Sequence, residues 1–162
     1  MSEGERQVVT FKVADETYGV GISDVQEIIP MLPVNRVPRT PAWIEGLVDL
    51  RGTILPVLDL RRRFGLPDAP DSPTRCIVIV DVRDQTIGLV VDAVRDVTRL
   101  SDLSPVPPAT GVRDRFLSAI ARIPDGARHA LLMLLDLDSL LNEQEIVELA
   151  TQPGESPSSA PS

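Results

Sequence analysis

One cysteine and one histidine occur in the 162 residues. Cys76 alone can form neither an intramolecular disulfide nor a cysteine-rich zinc site, which suits a reducing compartment. His129 has no neighbouring cysteine or paired carboxylates, so it does not make a zinc site. Aromatics total 3%, too few for a platform that stacks single-stranded bases. Positive charge is also scarce: 16 Lys and Arg stand against 24 Asp and Glu, for a net −8. That balance argues against nucleic acid and against anionic membrane surfaces, both of which reward a basic face. No apolar run reaches the ~18 residues of a membrane-crossing helix; ALLMLLDL stops far short. The polar start, MSEGERQ, is not a secretory signal. The expectation is a soluble, cytoplasmic protein with no direct membrane insertion, no nucleic-acid partner, no metal and no cofactor.

What is present is apolar alternation. Hydrophobic residues make up 43% of the chain, enough for a packed core. Val9, Phe11 and Val13 alternate with Thr10 and Lys12, and Tyr18, Val20 and Ile22 alternate with Gly19 and Gly21. The two runs read as a β-hairpin. Ser23-Asp24-Val25-Gln26 has the form of a capping box. It predicts a short helix with Val25, Ile28 and Ile29 on one face, Asp24 and Glu27 outside, and Pro30 as the stop. Thr40-Pro41 predicts a second helical turn through Trp43 and Glu45, ended by Gly46. Leu47–Leu50 and Thr53–Leu60 flank Arg51-Gly52 as a hairpin, with Pro56 marking an edge or a bulge. Residues 65–74 are Pro- and Asp-rich and read as a linker. Strands follow at Arg75–Val82 and in TIGLVV. Another Pro-rich connection covers 101–115. The last strand pair, Phe116–Ile123 and Ala130–Leu137, turns around Pro124-Asp125-Gly126. A helix is expected over 143–150, and residues 1–6 and 151–162 read as disordered tails.

The chain also resembles itself. Shifted by 69 positions, VTFKVADETYGVGISDVQEI lies over VIVDVRDQTIGLVVDAVRDV, with Val9/Val78, Val13/Val82, Asp15/Asp84, Thr17/Thr86, Gly19/Gly88 and Val25/Val94 identical. LPVLDL (55–60) resembles LMLLDL (132–137) at a shift of 77. Two copies of a small antiparallel unit are implied, each with about five strands and one short helix. Short, turn-rich units favour small barrels, because closure removes exposed strand edges. The fold expected is mainly β: two five-stranded antiparallel barrels, the first over about 8–64, the second over about 75–137. Side by side they would leave an apolar seam where a partner could dock.

Enzyme signatures are weak. Gly19-x-Gly21 lies within a strand, so it is no nucleotide fingerprint. There is no G-x-S-x-G elbow to pair with His129. Paired carboxylates remain an alternative, since acidic residues abound, but nothing in the sequence places two in a cleft. Arg61-Arg62-Arg63 reads first as a solvated basic run and second as a contact for an acidic partner.

YGVGISDVQEII, PVNRVPRTPAWIEGLVDLRGTILPVLDLRRRFG and IGLVVDAVRDV resemble the CheW family of bacterial chemotaxis coupling proteins. The resemblance runs from about residue 7 to 149. Its most specific part is G-[apolar]₂-[ND]-L-R-G followed by P-[apolar]₂-D-L; Asp49 stands where the family usually has Asn. The resemblance implies a single CheW-like domain over 7–150, built of two SH3-like five-stranded barrels. It implies a non-enzymatic adaptor that couples chemoreceptor cytoplasmic tips to a CheA-type histidine kinase, through the kinase's regulatory domain, in receptor arrays at the membrane. An adaptor of pilus-driven motility or development is the alternative within the family.

The Arg-Gly turn is where sequence and resemblance meet. Asn-Gly or Asp-Gly is the commoner hairpin turn, and the second copy supplies no Arg-Gly. Folding therefore does not itself require the arginine. Arg51 and Glu27 are both polar residues beside apolar faces and both match characteristic positions of the family resembled, so they are expected to pair and to order a partner-binding surface. Leu50 and Gly52, which flank Arg51, are assigned to that surface with Val25. Val90 and Val91 are added because one of two adjacent strand residues must point away from its own barrel core.

Overall fold

A computed structural model describes residues 6–41, 43–68, 72–100, 103–107, 113–125 and 128–140. Its strands are β1 (Arg6–Val13), β2 (Glu16–Gly21), β3 (Val25–Pro30), β4 (Ile44–Leu50), β5 (Thr53–Asp59), β6 (Cys76–Val82), β7 (Gln85–Val91), β8 (Ala93–Leu100), β9 (Leu103–Ser104), β10 (Leu117–Asp125) and β11 (Arg128–Leu135). Helical pieces are short: α1 (Leu60–Arg63), α2 (Leu137–Leu140), and 3₁₀ turns at Ile22–Asp24 and Arg113–Phe116. The fold is mainly β, as the alternation predicted.

Several local expectations are corrected. The capping-box helix is a strand: only Ile22–Asp24 is helical, and Val25–Pro30 pairs with β6. Val25, Ile28 and Ile29 are β-branched, and a ready partner strand outweighs the weak helical preference of the segment. Among the described residues Thr40-Pro41 opens no helix; strand β4 begins at Ile44. The last hairpin is longer than expected, because Pro124 and Asp125 pair with His129 and Arg128. Leu137 opens α2 rather than ending a strand. Arg6 belongs to β1, not to a tail. The expected helix over 143–150, the tail over 151–162 and residues 1–5 lie outside the described residues.

The strands form a six-stranded sheet, in the order β8-β1-β2-β11-β10-β9, and a five-stranded sheet, in the order β3-β6-β7-β5-β4. Neither sheet is one half of the chain, so the division into barrels at 8–64 and 75–137 is corrected. The β1–β2 hairpin lies between β8 and β11, and the β6–β7 hairpin lies between β3 and β5. The two copies have exchanged hairpins. Their registers agree residue for residue. Val57 faces Gly88 in parallel β5–β7, and its counterpart Leu134 faces Gly19 in parallel β11–β2. Val80 faces Val25, and Phe11 faces Val94. The Asn35–Leu47 bridge matches the pairing of Ser104 with Ile120. Gly46 is required at that bridge: a Cβ there would lie 2.4 Å from the Asn35 carbonyl oxygen.

Among the described residues the buried apolar side chains form three clusters. Ile29, Val48, Leu55, Val57, Ile77, Ile79 and Val90 line the inner face of the five-stranded sheet. Val8, Leu100, Ala119, Ala121, Ile123, Leu132 and Leu134 line that of the six-stranded sheet. The largest cluster joins the opposite faces of both sheets, with Phe11, Tyr18 and Met133 against Val78, Leu89 and Val91. Among the described residues the seam is thus filled by the protein's own core. Val90 and Val91 are 2% and 1% exposed, one in each of two clusters. Both are core residues, which removes them as docking residues: β7 is covered on both faces, as its unbroken apolar run TIGLVV allows.

Candidate functional site

The hairpin β4–β5 closes in a two-residue turn, with φ of 52° at Arg51 and 90° at Gly52. Positive φ at both positions matches the twist of the flanking strands. Asp49 stabilises the turn, its Oδ1 accepting from the Gly52 N–H at 2.8 Å. Leu50 is half-buried and packs on the inner cluster, while Arg51 and Gly52 are exposed. The arginine therefore starts from a rigid base.

Arg51 Nη2 donates to Glu27 Oε2. The pairing expected from the sequence is present, but Glu27 reaches it from strand β3 instead of a helix. A bulge lies between Val25 and Glu27, and such bulges re-aim the side chains beside them. The bulged Gln26 is tied down, its Nε2 donating to Asp81 Oδ1 at 2.6 Å and to Thr86 Oγ1 at 3.2 Å. Val25 is half-buried against the central cluster. Arg51 is 69% exposed and Glu27 34%, so the pair is presented to solvent. Exposed apolar side chains stand on the same elements: Ile28 on β3 at 42% and Ile54 on β5 at 57%.

The second copy treats the equivalent position differently. Asp96, the counterpart of Glu27 at a shift of 69, accepts from Thr10 Oγ1 at 2.9 Å. Thr10, Thr17, Arg95 and Asp96 line a depression with Ile123. A second depression holds Gln7, Ser23 and Asp24. Neither brings two carboxylates together among the described residues. Among the described residues, no cluster of three His, Cys, Asp or Glu is arranged to hold a metal ion. No described helix is long and apolar enough to cross a membrane.

The arginine run is not a free solvated face. Arg61 Nη2 donates to Asp92 Oδ2 at 2.7 Å, and Arg62 Nε donates to Asp68 Oδ1 at 2.9 Å. The Arg63 guanidinium sits 3.9 Å above the Trp43 ring. Burial alone would raise the Asp92 pKa. The hydrogen bonds from Arg61 and the Ala14 N–H, with the Arg61 charge, outweigh it and hold the carboxyl below its usual range. Sequence reasoning missed this centre, because an aspartate between two strands carries no local mark of its partners.

Two sheets packed through one core carry a solvent-facing ion pair at a hairpin turn, with exposed isoleucines on the flanking strands. Comparison with known proteins names the family. A CheW-like domain model matches residues 7–145. The chain is 31% identical over 148 residues to a probable chemotaxis protein CheW of Rhizobium etli, covering 90% of this chain and 93% of that one. It is 31% identical over 157 residues to a chemotaxis protein CheW of Treponema pallidum, covering 93% and 90%. The crystal structure of the scaffolding protein TtCheW from Thermoanaerobacter tengcongensis matches with a TM-score of 0.77 at 35% identity, over 85% of this chain and 92% of that one. The chain belongs to the CheW-like family.

Proposed function

We propose that this chain is a non-enzymatic chemotaxis adaptor. It couples the cytoplasmic tip of a transmembrane chemoreceptor to the regulatory domain of a CheA-type histidine kinase, working in the cytoplasm beneath membrane receptor arrays. The observation that carries the reading is the Glu27–Arg51 pair, held at the tip of a rigid hairpin and presented to solvent. An exposed pair of this kind contributes only ~0–1 kcal/mol to folding, so stability is a poor reason for its presence. A preformed charged pair, with exposed Ile28 and Ile54 on the flanking strands, supports recognition of a protein surface, which needs apolar contact area and a polar element for orientation. Val25, Leu50 and Gly52 complete the surface by holding the pair in place.

A pull-down from native cytoplasm tests the reading. Recovery of a CheA-type kinase together with a chemoreceptor is expected, and their identities assign the pathway, whether swimming, pilus motility or development. Recovery of neither, with the chain folded and the bait intact, would contradict it. The second reading, an enzyme with paired carboxylates, gains no support from the two depressions described.

A further inference from the structure

The segment Leu60–Phe64 stands where the two sheets meet. Asp59 ends β5 and caps the turn, its Oδ1 accepting from the Arg61 N–H at 2.9 Å. Leu60 and Phe64 then enter the central cluster, 0% and 3% exposed. The Phe64 ring lies 5.1 Å from Tyr18 on β2 and 5.8 Å from Phe116 just before β10. Tyr18 belongs to the six-stranded sheet and Phe116 to the 3₁₀ turn that leads into its strand β10, whereas β5 belongs to the other sheet. Arg63 bridges the same gap, 3.9 Å above Trp43 and 4.9 Å from Phe116.

Arg61 makes the third tie. Its Nε and Nη2 donate to Asp92 at 3.0 and 2.7 Å, and its Nη1 donates to the Pro67 carbonyl at 2.9 Å. Asp92 is the single residue between β7 of one sheet and β8 of the other. Its Oδ2 accepts from the Ala14 N–H in the β1–β2 turn at 2.7 Å, and its own N–H donates to the Lys12 carbonyl at 2.9 Å. Thr74 Oγ1 donates to the Asp92 carbonyl at 2.8 Å.

The second copy shows what the turn needs in order to fold. There α2 follows β11 with the sequence LDSL, and Asp138 N–H donates to Asp136 Oδ1 at 3.2 Å, as Arg61 N–H does to Asp59. The cap repeats and the arginines do not. Apolar packing between the sheets is non-directional, while a forked guanidinium–carboxylate contact fixes an angle.

We propose that Leu60–Phe64 is an angular clamp. It fixes the mutual orientation of the two sheets, with Arg61 and Asp92 as its positioning residues, so that one chain can hold two partners in a single geometry. The proposal rests on the adaptor reading above.

The test uses the full chain carrying Arg61→Ala, Arg61→Lys or Asp92→Asn. Spin labels at Ile54→Cys and Leu131→Cys, in a Cys76→Ala background, report the separation between the sheets. The parent should give one narrow distance distribution. Arg61→Ala and Asp92→Asn should broaden or shift it, and Arg61→Lys should fall between them and the parent. On unlabelled chains, affinity for a receptor-tip fragment or a kinase regulatory domain alone should stay within about twofold, as for substitutions away from a contact. Assembly of both on one chain should weaken roughly tenfold, within the usual range of coupling between sites. Should Asp92→Asn fail to fold, the two Arg61 variants carry the same measurements. An unchanged distribution in the folded variants would overturn the clamp, as would a broadened one with undiminished ternary assembly. A parent chain that binds neither fragment would refute the adaptor reading instead, with the label distances still judging the clamp.

Discussion

The side chains of Glu27, on edge strand β3, and Arg51, in the turn that ends the opposite edge strand β4, meet. In a flat sheet the outermost of five strands would stand roughly 19 Å apart, four spacings of about 4.8 Å. The pair exists only because the sheet curls until β3 approaches the end of β4. The Asn35–Leu47 bridge marks the same approach, with both of its hydrogen bonds at 2.8 Å. Curling brings together two residues far apart in strand order and presents them to solvent.

Arg51→Ala should weaken receptor binding while shifting the melting temperature by little, since an exposed pair contributes only ~0–1 kcal/mol. Glu27→Lys should weaken it further, because it sets two cations side by side. Calorimetric titration with a receptor-tip fragment, paired with thermal melts, checks both. Loss of folding with unchanged binding per folded molecule would assign the pair to stability instead.

Val90→Ala and Val91→Ala should each cost roughly 1.5–3 kcal/mol, from lost apolar burial and the cavity left behind. Urea denaturation measures that cost. Partner affinity per folded molecule should stay at the parent value, because neither side chain reaches the surface.

Gly46→Ala should destabilise more than Gly19→Ala. A Cβ at Gly46 would lie 2.4 Å from backbone, at a φ of 148°, whereas one at Gly19 would meet only the flexible Leu132 and Val8 side chains, at 3.1 and 3.2 Å. Overpacking of this kind typically costs ~1–3 kcal/mol, and the backbone clash puts Gly46 at or above the top of that range. Equal denaturation midpoints for the two variants would contradict the bridge at Asn35.

The Asp92 carboxyl titrates below its usual value in the folded chain. The unfolded chain therefore binds its proton first as pH falls, near pH ~4, and the stabilisation by Arg61 and Ala14 is lost below that point. The stability gap between the parent and Asp92→Asn should be constant above about pH 5 and shrink as pH drops through 4. Denaturation curves across that range measure it. A gap that grows toward acid pH would reverse the sign of the argument.

The hairpins, the internal duplication and the unmatched Arg51 were legible in the sequence, because each leaves a local mark: alternation, repeated spacing, an arginine that one copy has and the other lacks; Glu27 as its partner came from the family resemblance as well. The hairpin exchange was not. Thr17, Gly19 and Val13 recur as Thr86, Gly88 and Val82, so either hairpin fits either sheet, and periodicity tells which face is apolar but not which copy covers it. The same ambiguity misplaced Val90 and Val91: adjacent valines must point to opposite faces, and only the packing of the second sheet shows both to be buried. Val25–Pro30 failed for another reason. Its capping signal was present, but a long-range partner strand outweighed it. Asp92 gathers groups from Lys12, Ala14, Arg61 and Thr74, and no spacing in the chain announces that meeting.

Sedimentation of the purified chain with a chemoreceptor-tip fragment and a CheA-type regulatory domain tests the central claim most directly. The account predicts one boundary containing all three proteins, with the receptor fragment released by Glu27→Lys and the kinase domain retained. A chain that sediments apart from both, or binds both equally well with Glu27 reversed, would contradict it.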